Sequence, residues 1–171
     1  MNLIAAADKH WGIGAGNQLL TSIPDDMRYF REVTAGKIVV MGRRTRESIP
    51  GGRLKGRVNI VLTHQTNEQA DGILFVSSME DLFRVLEPYD TDAVFVIGGA
   101  SIYGQMLDAC HTAYITKIDA AYAADAYMPD LDAHPQWELS VCKQRKVYLG
   151  TGYRFCIYKR IIQLPCPERK I

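Results

Sequence analysis

Five short apolar runs lie in the first hundred residues, and each has the length of a buried strand. They span Asn2–Ala7, Lys37–Gly42, Val58–Thr63, Ile73–Val76 and Ala93–Gly99. The runs are rich in valine and isoleucine and are apolar on both faces instead of alternating with polar residues. This pattern is typical of a parallel sheet covered by helices on both faces.

Helical patterns fall between these runs. We predict helices over Pro24–Val33, Arg44–Ser48, Ser78–Leu86 and Ala100–Ala109. Ser77 is followed three residues later by Glu80, which is the pattern of a capping box at the start of the third helix. The alternation of strands and helices predicts a single-domain α/β fold with right-handed crossovers.

The pattern changes after Thr112. The segments Ala113–Asp119 and Gly152–Ile161 alternate as strands do, and no helix is indicated between them. We therefore expect an antiparallel C-terminal edge on a mostly parallel central sheet. Residues 1–162 form the predicted domain, and residues 163–171 form a predicted exposed C-terminal tail.

The bulk composition limits the possible partners. The chain has 171 residues with a net charge of +1, and it has no basic run interleaved with aromatic residues. It also has no apolar run near the roughly 20 residues that a membrane helix needs, and its apolar start reaches a charge at Asp8, as a first strand does. We expect no nucleic-acid partner and no membrane partner.

The cysteines and histidines show no ligand spacing. Cys110, Cys142, Cys156 and Cys166 contain no CxxC pair, and the four histidines are scattered. We expect no metal site, reduced thiols and a cytoplasmic location.

The stretch SIPDDMRYF, residues 22–30, combines adjacent carboxylates with apolar residues. Pro24 suits the first turn of a helix, and Asp25 and Asp26 follow at the positive end of the helix dipole. Asp26 lies four residues before Phe30 and therefore shares a helix face with it. Two interpretations are open: the acids only cap the helix, or one acid lines an apolar pocket that takes a cationic or amidine-like ligand.

Two glycine-containing turns could bind phosphate. Gly42 and the arginines after it lead from a strand into a helix, and so do Gly98 and Gly99. Helix N-terminal amides with nearby arginines can hold a multi-phosphate cofactor. A solvated basic turn and a tight strand-to-helix turn are the alternatives. The glycine-rich loop 9–23 is either a lid or a merely flexible loop.

Five segments in this order resemble dihydrofolate reductase over nearly the whole chain. They are I-P-x-D-x-x-x-F, MGRRTRESI, L-x-G-R-x-N-I-V-L, VIGGASIY, and YITKIDA followed by Asp125. The resemblance implies that family's fold, NADPH as cofactor, and reduction of 7,8-dihydrofolate to 5,6,7,8-tetrahydrofolate by hydride transfer to C6 with protonation at N5. It implies a monomer as well.

The resemblance also assigns roles around the substrate. Asp26 corresponds to the catalytic acid that binds the pterin ring, and Thr116 corresponds to the hydroxyl residue that supports this acid. Arg57 corresponds to the residue that binds the glutamate α-carboxylate. A surface charge is the simpler interpretation of Arg57 from the sequence alone. Asp25 would be a solvent-facing cap. The implied apolar walls are Ile4, Ala6, Met27, Phe30, Ile49, Leu54 and Ile97.

The implied cofactor-binding residues cluster in four places. Ile13, Gly14 and Leu19 resemble the lid over the nicotinamide, and Ala6 and Ile97 lie at strand ends. The phosphate turns and the adenosine side would be formed by Gly42, Arg43, Arg44, Thr45, Leu62, Thr63, His64, Gly98, Gly99, Ala100, Ser101, Ile102 and Tyr103.

The chain departs from the family pattern before the first helix. The usual L-P-W there is Leu19-Leu20-Thr21, and Thr21 is smaller and polar. Two other functions are compatible with the glycine turns: a riboflavin-pathway pyrimidine reductase of the same fold, and a nucleotide-binding module without catalysis. The spacing of Pro24, Asp26 and Phe30 argues against the first, and the second needs no buried acid.

Overall fold

The computed structural model describes residues 1–65 and 69–161. Within these ranges, α-helices lie between strands up to residue 106, and after a 3-10 turn only strands follow. The strands are β1 (Asn2–Ala7), β2 (Gly12–Gly14), β3 (Ile38–Gly42), β4 (Val58–Leu62), β5 (Ile73–Val76), β6 (Val94–Gly98), β7 (Thr112–Ile118), β8 (Ala126–Tyr127), β9 (Trp137–Cys142), β10 (Lys146–Tyr148) and β11 (Thr151–Arg160). The helices are α1 (Pro24–Thr34), α2 (Arg43–Ser48), α3 (Met79–Leu86) and α4 (Ala100–Met106).

The described strands form one large sheet with the order β10-β11-β7-β1-β6-β3-β4-β5, in which β9 also pairs with β11. The strands from β7 to β5 in this order run parallel, whereas β11 is antiparallel to β7, β9 and β10. This confirms the predicted mostly parallel sheet with an antiparallel C-terminal edge. The short strands β2 and β8 form a separate antiparallel pair.

The central strands are buried on both faces. In β3, Val40 packs into one hydrophobic cluster, while Val39 and Met41 pack into another on the opposite face. Successive side chains of a strand point to opposite faces. A strand that is covered on both faces is therefore apolar at every position and shows no alternation of polar and apolar residues. Residues of α3 and α4 belong to the first cluster, and Ile49 and Leu54, which follow α2, cover the second.

Two details of the helix ends differ from the sequence prediction. The N-cap of α3 is Ser78 and not Ser77, because the Ser78 hydroxyl accepts the backbone N–H of Asp81 at 3.1 Å. The fourth helix ends at Met106, and a 3-10 turn over Leu107–Ala109 follows it.

The prediction that the cysteines are reduced thiols was wrong for one pair. Cys142 on β9 and Cys156 on β11 are joined in a disulfide, because the antiparallel register places them directly opposite each other. Cys110 is a buried free thiol. Cys166 and the predicted tail, residues 163–171, lie outside the described residues.

Within residues 1–65 and 69–161, no helix is long and apolar enough to cross a membrane. No group of three or more histidine, cysteine or acidic side chains in those ranges could hold a metal ion.

Candidate active site

A cleft of about 1580 Å³ opens where the carboxyl ends of β1, β3, β4 and β6 meet. Ala6, Gly42, Leu62 and Gly98 lie at these strand ends and line it. Open α/β sheets bind their ligands at this edge, because the loops that leave the strands there can diverge around a ligand. The sheet order therefore brings together residues that are far apart in the chain.

Asp26 lies in the first turn of α1 and faces this cleft. Its Oδ1 accepts a hydrogen bond of 2.6 Å from the Thr116 hydroxyl, and Thr116 is only 2 % exposed. Burial raises the pKa of Asp26, and the hydrogen bond from Thr116 opposes this rise without cancelling it. The cleft thus contains a carboxylate that is fixed in place and reluctant to ionise.

Asp25 has a different environment. Its Oδ2 accepts hydrogen bonds from Lys146 Nζ at 2.7 Å and from the Tyr153 hydroxyl at 3.0 Å, and its other oxygen pairs with Arg28. The hydrogen bond from Lys146 lowers the pKa of Asp25, and that from Tyr153 adds to this effect. No side chain caps the start of α1, so the prediction of a cap was wrong: Asp25 ties α1 to β10 and β11.

The seven residues predicted as apolar walls all line the cleft. They come from β1 and β6, from α1, and from the segment after α2. The seven residues are Ile4, Ala6, Met27, Phe30, Ile49, Leu54 and Ile97. They share this cleft with the Asp26 carboxylate, whose burial raises its pKa. Their contacts with a ligand stay predictions.

Arg57 does not line the cleft itself. Its guanidinium donates to the Thr34 hydroxyl at 2.9 Å and to the Lys55 carbonyl at 3.2 Å, and it lies 6.0 Å from the ring centre of Phe30. Burial lowers the pKa of Arg57, with a further contribution from the nearby charge of Arg31. Arg57 forms no ion pair with any described residue, so its positive charge is held beside a cleft-wall ring and is available to an anion.

Two helices start at the cleft with glycine in the N-cap position. Gly42 precedes α2 and Gly99 precedes α4, and neither helix has a side-chain cap. Their first backbone N–H groups therefore remain available to an anion in the cleft. Arg43 pairs with Glu47 one turn later, while Arg44 is exposed and has no ion-pair partner among the described residues.

The glycines at these turns suit tight packing at Gly42 and Gly99 and an unusual backbone conformation at Gly98. A Cβ at Gly42 would lie 3.1 Å from Ile102, and one at Gly99 would lie 3.3 Å from the Thr45 hydroxyl. Gly98 has φ +124°, a conformation that other residues rarely adopt, and the Gly98–Gly99 peptide bond is cis. The turn therefore brings its backbone, free of side chains, to the edge of the cleft.

The remaining predicted cofactor residues also line the cleft. They are Ile13, Gly14, Leu19, Thr45, Leu62, Thr63, His64, Ala100, Ser101, Ile102 and Tyr103. The Tyr103 hydroxyl donates to the Ile4 carbonyl at 2.7 Å and so links α4 to β1 across the floor. Their individual contacts with a cofactor are untested predictions.

The loop after β1 is fixed by contacts that sequence reasoning missed. The Asp125 carboxylate accepts the Gly16 N–H at 2.8 Å, and the Asp125 N–H donates to the Gly14 carbonyl at 3.0 Å. At the start of the loop, buried Asp8 accepts the N–H groups of His10, Gly12 and Tyr122. The sequence marks Asp125 only as part of a motif, and no local pattern pairs it with a loop more than a hundred residues away.

Thr21 and Tyr127 also line the cleft without having been predicted to do so. Tyr127 follows Asp125 into the short strand β8, and no strand-like pattern marks this segment. Thr21 was noted only as a departure from the family pattern, and it is half-buried beside the start of α1.

Comparisons with known proteins agree on one family. A family model described as dihydrofolate reductase matches residues 1–160. A dihydrofolate reductase of Neisseria meningitidis serogroup A is 36% identical over 160 residues, which cover 94% of this chain and 98% of that protein. The dihydrofolate reductase of Bacillus subtilis is 34% identical over 167 residues and 94% of each chain.

A solved structure shows the same fold. The dihydrofolate reductase of Enterococcus faecalis, complexed with NADP(H) and RAB-propyl, matches with a TM-score of 0.83 and 29% sequence identity. The match covers 93% of this chain and 95% of the other.

Proposed function

The chain belongs to the dihydrofolate reductase family, and from that premise we propose which of its residues carry the reaction. The protein is an NADPH-dependent oxidoreductase that reduces 7,8-dihydrofolate to 5,6,7,8-tetrahydrofolate. The observation that carries the proposal is the position of Asp26: a carboxylate at the start of α1, held by a buried hydroxyl between apolar walls.

Asp26 binds the pterin ring of the substrate. A carboxylate accepts two parallel hydrogen bonds, which match two neighbouring N–H groups on an amidine-like edge. Thr116 occupies one acceptor site on Oδ1, so Oδ2 and the second lone pair of Oδ1 are available for this pairing. The apolar walls exclude water and hold the ring with its N–H edge towards the carboxylate.

Arg57 binds the other end of the substrate. Asp26 and Thr34 are eight residues apart on α1, which corresponds to about 12 Å along the helix axis. Arg57 is held at the far end of this face by Thr34 and lies beside Phe30. A substrate with a polar ring at one end and a carboxylate at the other would lie along α1 between the two.

The cleft residues fit a nicotinamide dinucleotide phosphate. The uncapped first turns of α2 and α4 supply N–H groups for the pyrophosphate, and Gly98 and Gly99 let the backbone approach it without a Cβ in the way. Arg43, Arg44 and His64 are the candidates for the 2′-phosphate. When bound, NADPH supplies the hydride for C6 of the substrate.

Asp26 acts mainly through charge and binding. Its raised pKa means that the site favours the protonated form or a cationic partner. The resemblance implies that the ring atom N5 lies beyond the direct reach of Asp26, so we propose that the proton reaches N5 through water. Loop 9–23, pinned by Asp125 and Asp8, restricts how water enters.

The test is NADPH oxidation followed by absorbance with purified protein. We expect oxidation that requires dihydrofolate and is slower with NADH. Tight NADPH binding without oxidation would contradict the assigned roles and favour a nucleotide-binding module. Oxidation that needs a riboflavin-pathway pyrimidine in place of dihydrofolate would favour the other reductase.

We further infer a cytoplasmic monomer. The cleft, both turns and the loop contacts are complete within one chain, so the site needs no second copy. The cytoplasm is proposed because the reaction consumes NADPH. Light scattering in solution and cell fractionation test the two statements separately.

A further inference from the structure

A second, smaller cavity lies against the C-terminal edge of the sheet. Its volume is about 340 Å³, at the lower end of the range for small-ligand pockets, which starts at roughly 300 Å³. It is lined by the disulfide, two apolar side chains and four charged ones, namely Cys142, Cys156, Ile118, Leu139, Lys9, Lys117, Asp119 and Arg154. We refer to it as the disulfide cavity.

The two sulfur atoms of the disulfide differ in access. Cys142 is exposed on β9, whereas Cys156 is 1 % exposed on β11. The two residues are directly paired across antiparallel strands, with 4.1 Å between their Cα atoms. An incoming thiolate can therefore reach the sulfur of Cys142, and Cys156 is the sulfur that must leave.

The charges around the disulfide favour an anion. Asp119 already accepts hydrogen bonds from Arg145 at 2.6 Å and from Arg154 at 3.2 Å, and the bond from Arg145 lowers its pKa. Three cations line the cavity, but Lys117 pairs with Asp132 and Arg154 pairs with Asp119. Lys9 is exposed and forms no ion pair with any described residue, so its charge is available to a ligand.

We propose that the disulfide cavity is a thiol-exchange site for a small thiol that carries carboxylates. The thiolate attacks Cys142 Sγ, a new sulfur–sulfur bond forms, and the Cys142–Cys156 bond breaks. Cys156 leaves with the electron pair as a thiolate and takes a proton from solvent. A second thiol molecule then attacks the mixed disulfide, which releases the small-molecule disulfide and leaves both cysteines reduced.

The cations contribute to both partners of this exchange. Positive charge near a sulfur favours its thiolate form and so makes it a better leaving group. Lys9 attracts the carboxylates of the incoming thiol. The remaining described cysteine is a poor competitor, because burial raises the pKa of Cys110 to about 12.

The first experiment compares an anionic and a neutral thiol. Purified protein is treated with glutathione or with 2-mercaptoethanol, samples are quenched with acid and alkylated, and peptide mass spectrometry follows each cysteine. We expect Lys9→Gln to slow exchange with glutathione roughly threefold and Lys9→Glu roughly tenfold, with the 2-mercaptoethanol rate unchanged.

A matched control is Lys55→Gln. Lys55 is exposed and precedes β4, which is five strands from β11 in the sheet order, or about 24 Å at 4.8 Å per strand. Lys55→Gln removes the same charge far from the cavity, and it should leave the exchange rates with glutathione and with 2-mercaptoethanol unchanged. Circular dichroism checks that each variant is folded.

A second pair of variants locates the attacked sulfur. With oxidised glutathione, Cys156→Ser should take up glutathione on Cys142, whereas Cys142→Ser should leave buried Cys156 largely unmodified. The proposal would be overturned if Lys9→Gln slowed exchange with glutathione and with 2-mercaptoethanol equally. Modification of Cys156 in preference to Cys142 would also overturn it. Alkylation of both cysteines in unreduced protein after treatment with oxidised glutathione would overturn it too. None of these readouts uses dihydrofolate.

Discussion

Replacing Thr116 by valine removes one hydroxyl and keeps the shape of the side chain. That hydroxyl donates to Asp26 Oδ1 at 2.6 Å and is buried on β7. Its hydrogen bond opposes the effect of burial, so its loss should raise the pKa of Asp26 further. If the protonated acid supports turnover, the pH above which activity falls should move upward in Thr116→Val.

The size of the effect follows from the type of bond. A hydrogen bond to a charged group contributes about 1.5–3 kcal/mol, which is roughly a 10- to 150-fold change in the balance between the ionised and protonated acid. The assay is the pH dependence of kcat/KM for dihydrofolate at saturating NADPH. The pKa of Asp26 can be followed independently by carboxyl NMR.

Thr112→Val provides a matched control. Thr112 is also buried on β7, but it lies at the opposite end of the strand, where its hydroxyl interacts with His111 and Lys159. This variant should keep the wild-type pH profile even if it loses some stability. A profile that moves equally in both variants, or in neither, would refute the role given to Thr116.

Three further changes test other parts of the account. Gly98→Ala should weaken NADPH binding measured by fluorescence titration, because a residue with a side chain is strained at φ +124°. Gly104→Ala in α4 is the control and should not weaken binding, because a Cβ there meets nothing within 4 Å. Arg57→Gln should raise the KM for dihydrofolate about tenfold or more and leave that for NADPH unchanged in steady-state assays. Asp26→Asn should raise the melting temperature at neutral pH, since burial disfavours the charged form; this gain should vanish as pH falls towards the ordinary aspartate range, where wild-type Asp26 is protonated too.

Local sequence pattern was sufficient for the central sheet. Runs such as those of β1 and β5 are apolar, short and bounded by turn residues, so their bounds agree with the structure to the residue. The spacing of Asp26 from Phe30 placed both on one helix face, and the resemblance to the family then assigned the acid to the substrate site. A shared helix face and a buried apolar run both depend on residues that are close together in the sequence, so both can be read from a single chain.

Contacts between distant segments were not predictable in the same way. Nothing near Asp25 indicates that Lys146 and Tyr153 will reach it, and Gly16 gives no sign of its bond to Asp125. The disulfide likewise depends on the register of β9 against β11. The strand β9 alternates apolar and polar residues but is exposed along most of its length, and this alternation indicates neither its partner strand nor its register.

The measurement that tests the central claim most directly compares Asp26→Asn with Asp25→Asn. The two acids are adjacent, but only Asp26 lines the cleft, while Asp25 pairs with Lys146 and Arg28. We predict that Asp26→Asn folds, binds NADPH and loses most dihydrofolate-dependent turnover at neutral pH, whereas Asp25→Asn keeps it. Turnover that survives in Asp26→Asn and is lost in Asp25→Asn would contradict the account.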